Sequence, residues 1–395
     1  MDRKLKILLI LIEPPLPFGN AGSRWFHVLY HQLKANGHEV RCLVASGVEK
    51  DIAKAKEVFA DVDPPMAVFP FDRKTGLLQK LKSYLYPHRS KFSSDFLNTF
   101  QSLEPDSFDV IHVEQTWAGW VTRQWSHKTL LNVHFLQAID LQYVKPKSLK
   151  ERLLYKRYFK TEKQLISEFP FVRTCTPRLE KTIKGFGLPK KILETVPFGI
   201  DLSLYPFIPA AKRQSREPIV TLIGNMGWYP SASSAERLLK HLWPRIRQEV
   251  PSARCRIVGW KARAALKDYL HMEGVEILEN VPDIAPYFEE ASVLVYPPVR
   301  GSGMKIKVQE AMAFGVPVVT TSEGSEGLPV VDREHMGLSE TDEGLIERAV
   351  EILQSPDLQE RLRTNARALL ESFCDPKATV GAIEDLYQKI LETQG

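Results

Sequence analysis

Ser292-Val-Leu-Val-Tyr-Pro-Pro-Val-Arg-Gly-Ser-Gly-Met-Lys-Ile-Lys-Val-Gln-Glu-Ala-Met-Ala-Phe-Gly-Val-Pro-Val-Val319 reads as strand, glycine loop, helix, glycine cap and strand again. Ser292 to Tyr296 is a short apolar run of the kind that is buried on both faces of a parallel sheet. Gly301 and Gly303 let backbone amides approach a ligand where the helix starts, and there unpaired N–H groups and the helix dipole favour an anion such as a diphosphate. Lys305 and Lys307 add full charges beside that loop, which also holds Arg300 and Met304. Gly303, Lys307 and Glu310 lie three to four residues apart and share a face. A cation on a diphosphate with a carboxylate two turns later on ribose hydroxyls is the geometry that grips a nucleotide. The bland alternative is a surface helix with a solvated charge stripe.

Outward from this unit the same alternation recurs. In the second half Ile219 to Ile223, Cys255 to Val258, Val275 to Leu278 and Val316 to Thr320 read as strands separated by helical segments. In the first half the strands are expected at Lys6 to Ile12, Glu39 to Ala45, Val110 to Val113, Thr129 to Val133, Val172 to Cys175 and Glu194 to Val196. A helix over Ser23 to Asn36, stopped by Gly37, makes the first βαβ unit. Residues 208–218 lack apolar periodicity and read as a linker. The fold class is therefore α/β, with two Rossmann-like doubly wound domains facing a cleft. The expected boundaries are 1–207 for an acceptor-binding domain, 218–375 for a nucleotide-sugar-binding domain, and 376–395 for a C-terminal helix that returns to the first domain.

Composition narrows the function classes. The chain has 395 residues, long for one hydrophobic core, and 44% are hydrophobic and 26% charged, as in a soluble globular protein. The net charge of +5 suits phosphate-bearing ligands but falls short of a nucleic-acid footprint, so no nucleic acid is expected as partner. Cys42, Cys175, Cys255 and Cys374 form no pair at metal or redox spacing and read as reduced thiols, which points to the cytoplasm. The apolar run at Met1 to Ile12 is too short for a signal peptide and reads as a strand. No run approaches the ~20 apolar residues that span a bilayer. Arg73 to Phe92 is basic and aromatic; it either caps the first domain or lies on an anionic membrane, on the inner face, where it would meet a lipid-linked acceptor.

The sequence resembles the GT-B glycosyltransferases of glycosyltransferase family 4. Glu310-Ala-Met-Ala-Phe-Gly-Val-Pro-Val-Val matches the family signature position by position, and Gly224-Asn-Met-Gly-Trp-Tyr-Pro230 is similar to the opening of the C-terminal domain in one bacterial branch. The resemblance implies that Glu310 binds the donor ribose and that Asn225 and Val281, the latter in Val281-Pro-Asp283, lie near the donor. It also implies that the glycine loop of Gly19 and Gly22 approaches the donor phosphate or the acceptor, though a plain turn explains that loop as well. His134, after the strand Thr129 to Val133, falls where the family puts a histidine near the transferred sugar; Lys305 and Glu310 complete the catalytic set. Glu114 and Asp140 are weaker candidates for gripping hydroxyls, and His112 is expected to pack beside the sheet.

One departure stands out. The family pattern has two glutamates separated by seven residues, the first on the donor sugar, and counting back from Glu310 reaches Ser302. Backbone amides near Glu323 to Gly327, with Glu326 among them, are the candidate substitute. Asp61-Val-Asp63 superficially matches a metal-holding acidic pair, but it precedes Pro64-Pro65 in the wrong domain, so no metal and no cofactor is expected. The reading is a metal-independent transferase (EC 2.4) that moves a sugar from a nucleotide diphosphate donor to a glycan, lipid-linked or small-molecule acceptor, with retention. Its rivals are a GT-B epimerase or phosphorylase and a catalytically silent sugar-nucleotide-binding partner module.

Overall fold

The computed structural model describes residues 3–394 apart from 73–75, 77–80, 82, 143, 145, 147, 190 and 209–216. Most of the expected linker, and part of the basic aromatic stretch 73–92, lie outside the described residues. The chain forms two compact units, 1–200 with 376–395, and 201–375.

The first unit is built on a seven-stranded sheet, ordered β3-β2-β1-β4-β5-β6-β7. Its strands are β1 Lys6–Leu11, β2 Glu39–Ser46, β3 Ala67–Pro70, β4 Val110–Glu114, β5 Thr129–Val133, β6 Phe171–Thr174 and β7 Ile192–Thr195. All are paired in parallel, with Ile10 of β1 opposite Leu43 of β2 on one side and Val113 of β4 on the other. The unbroken apolar run of β1 is what such double-sided burial needs, since helices cover both faces. The helix Ala21–Ala35 buries Trp25, Phe26, Leu29 and Leu33 at helical spacing and stops before Gly37, whose φ of 89° suits glycine. The last helix, Pro376–Glu392, belongs to this unit and buries Val380, Ile383, Leu386, Tyr387 and Ile390, each contributing about 1.5–3 kcal/mol.

The second unit has a six-stranded sheet, ordered β10-β9-β8-β11-β12-β13. Its strands are β8 Ile219–Ile223, β9 Arg254–Val258, β10 Val275–Leu278, β11 Val293–Tyr296, β12 Val318–Thr320 and β13 Gly337–Leu338, again all parallel. Residues 201–207 group with this unit: Tyr205 packs edge-on against Phe314, and the Arg363 guanidinium lies 4.3 Å from the Phe207 ring centre.

Both sheets reverse their strand order once, between β1 and β4 and between β8 and β11. In an open parallel sheet ligands collect outside the carboxyl ends of the strands at such a switch point. Two strands escaped the sequence pattern: β3 is a four-residue edge strand ending in proline, and β13 has only two residues.

Candidate active site

In the second unit the switch point opens at Gly224, just after β8, and at Pro297, just after β11. Three tight turns meet here. The Gly224 amide donates to Val258 O at 2.9 Å, and a Cβ on Gly259, whose φ is 153°, would stand 1.7 Å from Gly224 O. Only glycine fits at 259. Gly301 has φ 137°, and a Cβ there would come within 3.2 Å of Pro230. Gly303 has φ 80°. The helix itself starts at Ile306, later than the amides of Gly301 to Met304, which therefore belong to the loop. Its first turn carries no acidic residue, and the Lys305 side chain at the N-cap does not cap it.

Lys307 points into this nest. Its Nζ donates to Ser231 Oγ at 2.6 Å, lies 4.4 Å from the Tyr296 ring centre, and sits 2.5 Å from where a Cβ on Gly224 would be. No carboxylate pairs with it among the described residues. Burial, and then the neighbouring Lys305 charge, lower its pKa to about 7. Burial thus brings Lys307 within reach of its neutral form near neutrality. Lys305 bonds back to Gly303 O and stands 3.8 Å from Glu326 Oε2, both side chains being largely buried. Glu326 is accordingly an ion-pair partner of Lys305 rather than a bystander in its loop.

Glu310 is buried on the helix Ile306–Ala313, and Tyr205 Oη donates to its Oε1 at 3.2 Å. The Arg300 guanidinium stacks 3.6 Å above the exposed Tyr229 ring. Asn225 Oδ1 accepts from the Gly227 amide at 2.8 Å and so shapes its own turn. Met304 is buried beside the loop, and Val281 lies beyond the carboxyl end of β10, next to Asn280 with its left-handed φ of 57°. Lys305, Lys307, Gly301 and Gly303 come together with Gly224 and Ser231. The sequence reading missed Ser231, Tyr296, Gly259 and Tyr205; only Ser231, directly after the Gly224 to Pro230 motif, carried a usable signal.

In the first unit Gly22 lies inside the first turn of the helix Ala21–Ala35, with Gly19 just before it. Glu13 Oε2 accepts from the Ser23 amide at 3.2 Å and Oε1 from Asn20 Nδ2 at 3.3 Å. Burial nonetheless raises the Glu13 pKa to about 7. A carboxyl of the chain's own thus occupies the amide end of this helix, which suits a hydroxyl-bearing ligand better than a phosphate.

His134 follows β5 and packs edge-on against Phe198 with ring centres 4.9 Å apart. Its Nε2 donates to Glu114 Oε2. Glu114, read from sequence as a grip for substrate hydroxyls, is fully buried, and side chains of the chain itself surround its carboxylate: Trp25 Nε1 at 3.2 Å, His112 Nε2 at 3.0 Å and Asn132 Nδ2 at 2.5 Å. His112 likewise does more than pack, since its Nδ1 meets the Tyr387 hydroxyl. Asp140 ends the short helix Gln137–Asp140, whose first amides at Gln137 and Ala138 donate to the buried Glu162. All four cysteines are buried and none forms a disulfide. Among the described residues no group of three or more His, Cys, Asp or Glu side chains is placed to hold a metal ion, and no helix is long and apolar enough to cross a membrane.

Residues 22–204 match the family described as Glycosyltransferase Family 4, and residues 217–355 match Glycosyl transferases group 1. The chain is a family 4 glycosyltransferase of the GT-B fold. Solved structures agree on the fold of this glycosyltransferase. It is similar to sucrose-phosphate synthase from Thermosynechococcus elongatus at 18% identity and TM-score 0.74, over 99% of this chain and 100% of that one. It is similar to Anabaena HepE in complex with UDP and glucose at 15% identity and TM-score 0.70, over 97% and 100%. WaaG, a glycosyltransferase involved in lipopolysaccharide biosynthesis, matches at 14% identity and TM-score 0.61, over 95% and 99%. Among curated proteins none matches the glycosyltransferase by sequence.

Proposed function

We propose that the enzyme takes its sugar from a nucleoside diphosphate donor held on the second domain. The observation that carries this reading is Lys307, an ammonium buried among glycine turns with Ser231 and Tyr296 for company and no carboxylate within ion-pair distance among the described residues. Burying such a group is costly unless an anion completes it, and a diphosphate brings that anion. The amides of Gly301 to Met304 and the Lys305 ammonium share the charge, and Glu310 takes the ribose hydroxyls. Stabilising the departing diphosphate is the main catalytic task, done by groups fixed before the reaction begins. No metal is needed for it, because the loop supplies its own cations.

The acceptor, a glycan, lipid-linked or small-molecule hydroxyl, belongs to the first domain. The exposed Phe18 beside Gly19 and the protonatable Glu13 mark the helix start at Ala21 as its candidate seat. His134 serves the transferred sugar, and the configuration at its reacting carbon is retained. The reaction takes place in the cytoplasm, with peripheral contact at the inner membrane face if the acceptor is lipid-linked. Because the Anabaena HepE structures hold UDP or UDP-glucose, UDP is the first nucleotide to test.

Calorimetric binding of UDP, GDP, TDP and ADP without added metal, to the native chain and to Lys305→Ala, tests the site. One diphosphate should bind in the micromolar range and weaken in the variant; no binding by any of the four would remove the donor site from the loop. Ser302, standing where the family has its first glutamate, favours one second reading, a module that binds the donor without turnover. Binding without product across a broad acceptor panel would select it.

A further inference from the structure

Four polar side chains from three parts of the first unit are joined at His134, and the donor site does not use them. Tyr387 comes from the last helix, His112 and Glu114 from β4, and His134 from just beyond β5. Tyr387, His112 and Glu114 are fully buried, where an unsatisfied polar group costs about 1–3 kcal/mol. Their directions can be deduced from chemistry. Glu114 Oε1 accepts from the indole of Trp25, which can only donate, and from Asn132 Nδ2, whose amide orientation is fixed because Arg173 donates to its Oδ1 at 3.2 Å. Arg173, 3.9 Å from the carboxylate, balances its charge. Burial opposes ionisation of Glu114, but the two imidazoles and their hydrogen bonds outweigh it and hold the group far below its ordinary range.

An ionised carboxylate accepts and never donates. His134 therefore presents N–H to it through Nε2 at Oε2, while His112 Nε2 meets both Glu114 Oε1 and the donating Asn132 Nδ2. His112 Nδ1 hydrogen-bonds the Tyr387 hydroxyl, which burial keeps protonated. His134 Nδ1 is bare, and no hydrogen bond reaches it among the described residues.

We propose that Glu114, backed by His112 and Tyr387, is a positioning residue that locks His134 in its Nε2–H tautomer and keeps Nδ1 as an acceptor for a hydroxyl of the bound sugar. This rests on the reading of His134 as a sugar contact. It also gives the returning C-terminal helix a chemical part beyond packing, because its tyrosine closes the far end of the chain of bonds.

Nitrogen-15 spectra of histidine-labelled protein, with His134 assigned by its loss in His134→Gln, test the tautomer directly at a pH where the ring is neutral. The native chain should show His134 with Nε2 protonated and Nδ1 bare. In Glu114→Gln the Trp25 and Asn132 donors at Oε1 hold the amide oxygen in place, so the amide NH2 faces His134 and its tautomer should reverse to Nδ1–H. In the milder Tyr387→Phe, His112 Nδ1 should move toward its unbonded shift while His134 keeps its tautomer. A native His134 protonated at Nδ1, or a His112 Nδ1 unmoved in Tyr387→Phe, would overturn the proposal. A folded Glu114→Gln that leaves His134 unchanged would do so as well. None of these readouts involves a nucleotide, so failure of UDP, GDP, TDP and ADP to bind would count against the donor site alone.

Discussion

A lysine whose pKa lies near neutrality makes donor binding a protonation event. Lys307 is half charged at a pH of about 7 in the free enzyme, and a diphosphate beside it restores the full charge. Binding should then take up about half a proton at neutrality and about one proton well above it, with affinity falling up to about tenfold per pH unit. The charge-assisted bond from Lys307 is worth about 1.5–3 kcal/mol, so Lys307→Met should weaken a nucleoside diphosphate by roughly 10- to 150-fold and abolish the proton uptake. Phosphate itself titrates with a second pKa near 6, which confines a clean measurement to a pH of about 7.5 to 9. Calorimetry in two buffers of different ionisation heat, repeated across that window, reads the proton count. An uptake near zero for the native chain, or an affinity that is flat with pH, would refute the placement of the diphosphate at Lys307. The same shift touches folding: the unfolded chain holds this proton up to the ordinary value of 10.5 and the free folded chain only to about 7. Stability of the ligand-free enzyme should accordingly gain a contribution from Lys307 as pH rises through that window, and Lys307→Met should lose that pH dependence in thermal melts.

Gly259→Ala should cost more than about 3 kcal/mol or prevent folding of the second unit, because its Cβ would overlap Gly224 O; a melting temperature within a few degrees of native would contradict the turn geometry. Glu310→Gln, which keeps shape but loses charge, should raise the donor KM about tenfold through weaker ribose contacts while the affinity for inorganic pyrophosphate stays unchanged, and an equal loss for both ligands would remove Glu310 from the ribose. In the first unit Glu384 accepts from His38 Nε2 at 2.9 Å and Asn36 Nδ2 at 2.6 Å. Burial raises its pKa, but these bonds outweigh burial and leave it below the ordinary 4.5. Its stabilisation should be present above about pH 4.5 and fade as acid titrates the folded group, so Glu384→Gln should flatten the acid limb of the stability profile measured by urea unfolding.

The alternation of apolar runs with amphipathic helices was legible because parallel strands buried on both faces must be continuously hydrophobic, and β1 and β11 show this in full. The edge strands β3 and β13 were not, since β3 has four residues ending in proline and β13 only two. The glycine loop before the helix at Ile306 was legible for a different reason: Gly301 and Gly303 occupy backbone regions that few other residues tolerate, and glycine at such positions is visible in the letters. Gly259 meets the same steric demand, yet it followed a strand with no motif around it and went unread. What the letters do not carry is burial. Lys307 and Lys305 look alike two residues apart, but burial brings the pKa of one down to about 7 while the other has Glu326 within ion-pair reach. Glu114 looked like a free carboxylate two residues from His112, and folding surrounds it with Trp25, Asn132 and two imidazoles. Apart from His112 those partners are far from Glu114 in sequence, so its chemistry is decided by neighbours that only the fold brings together.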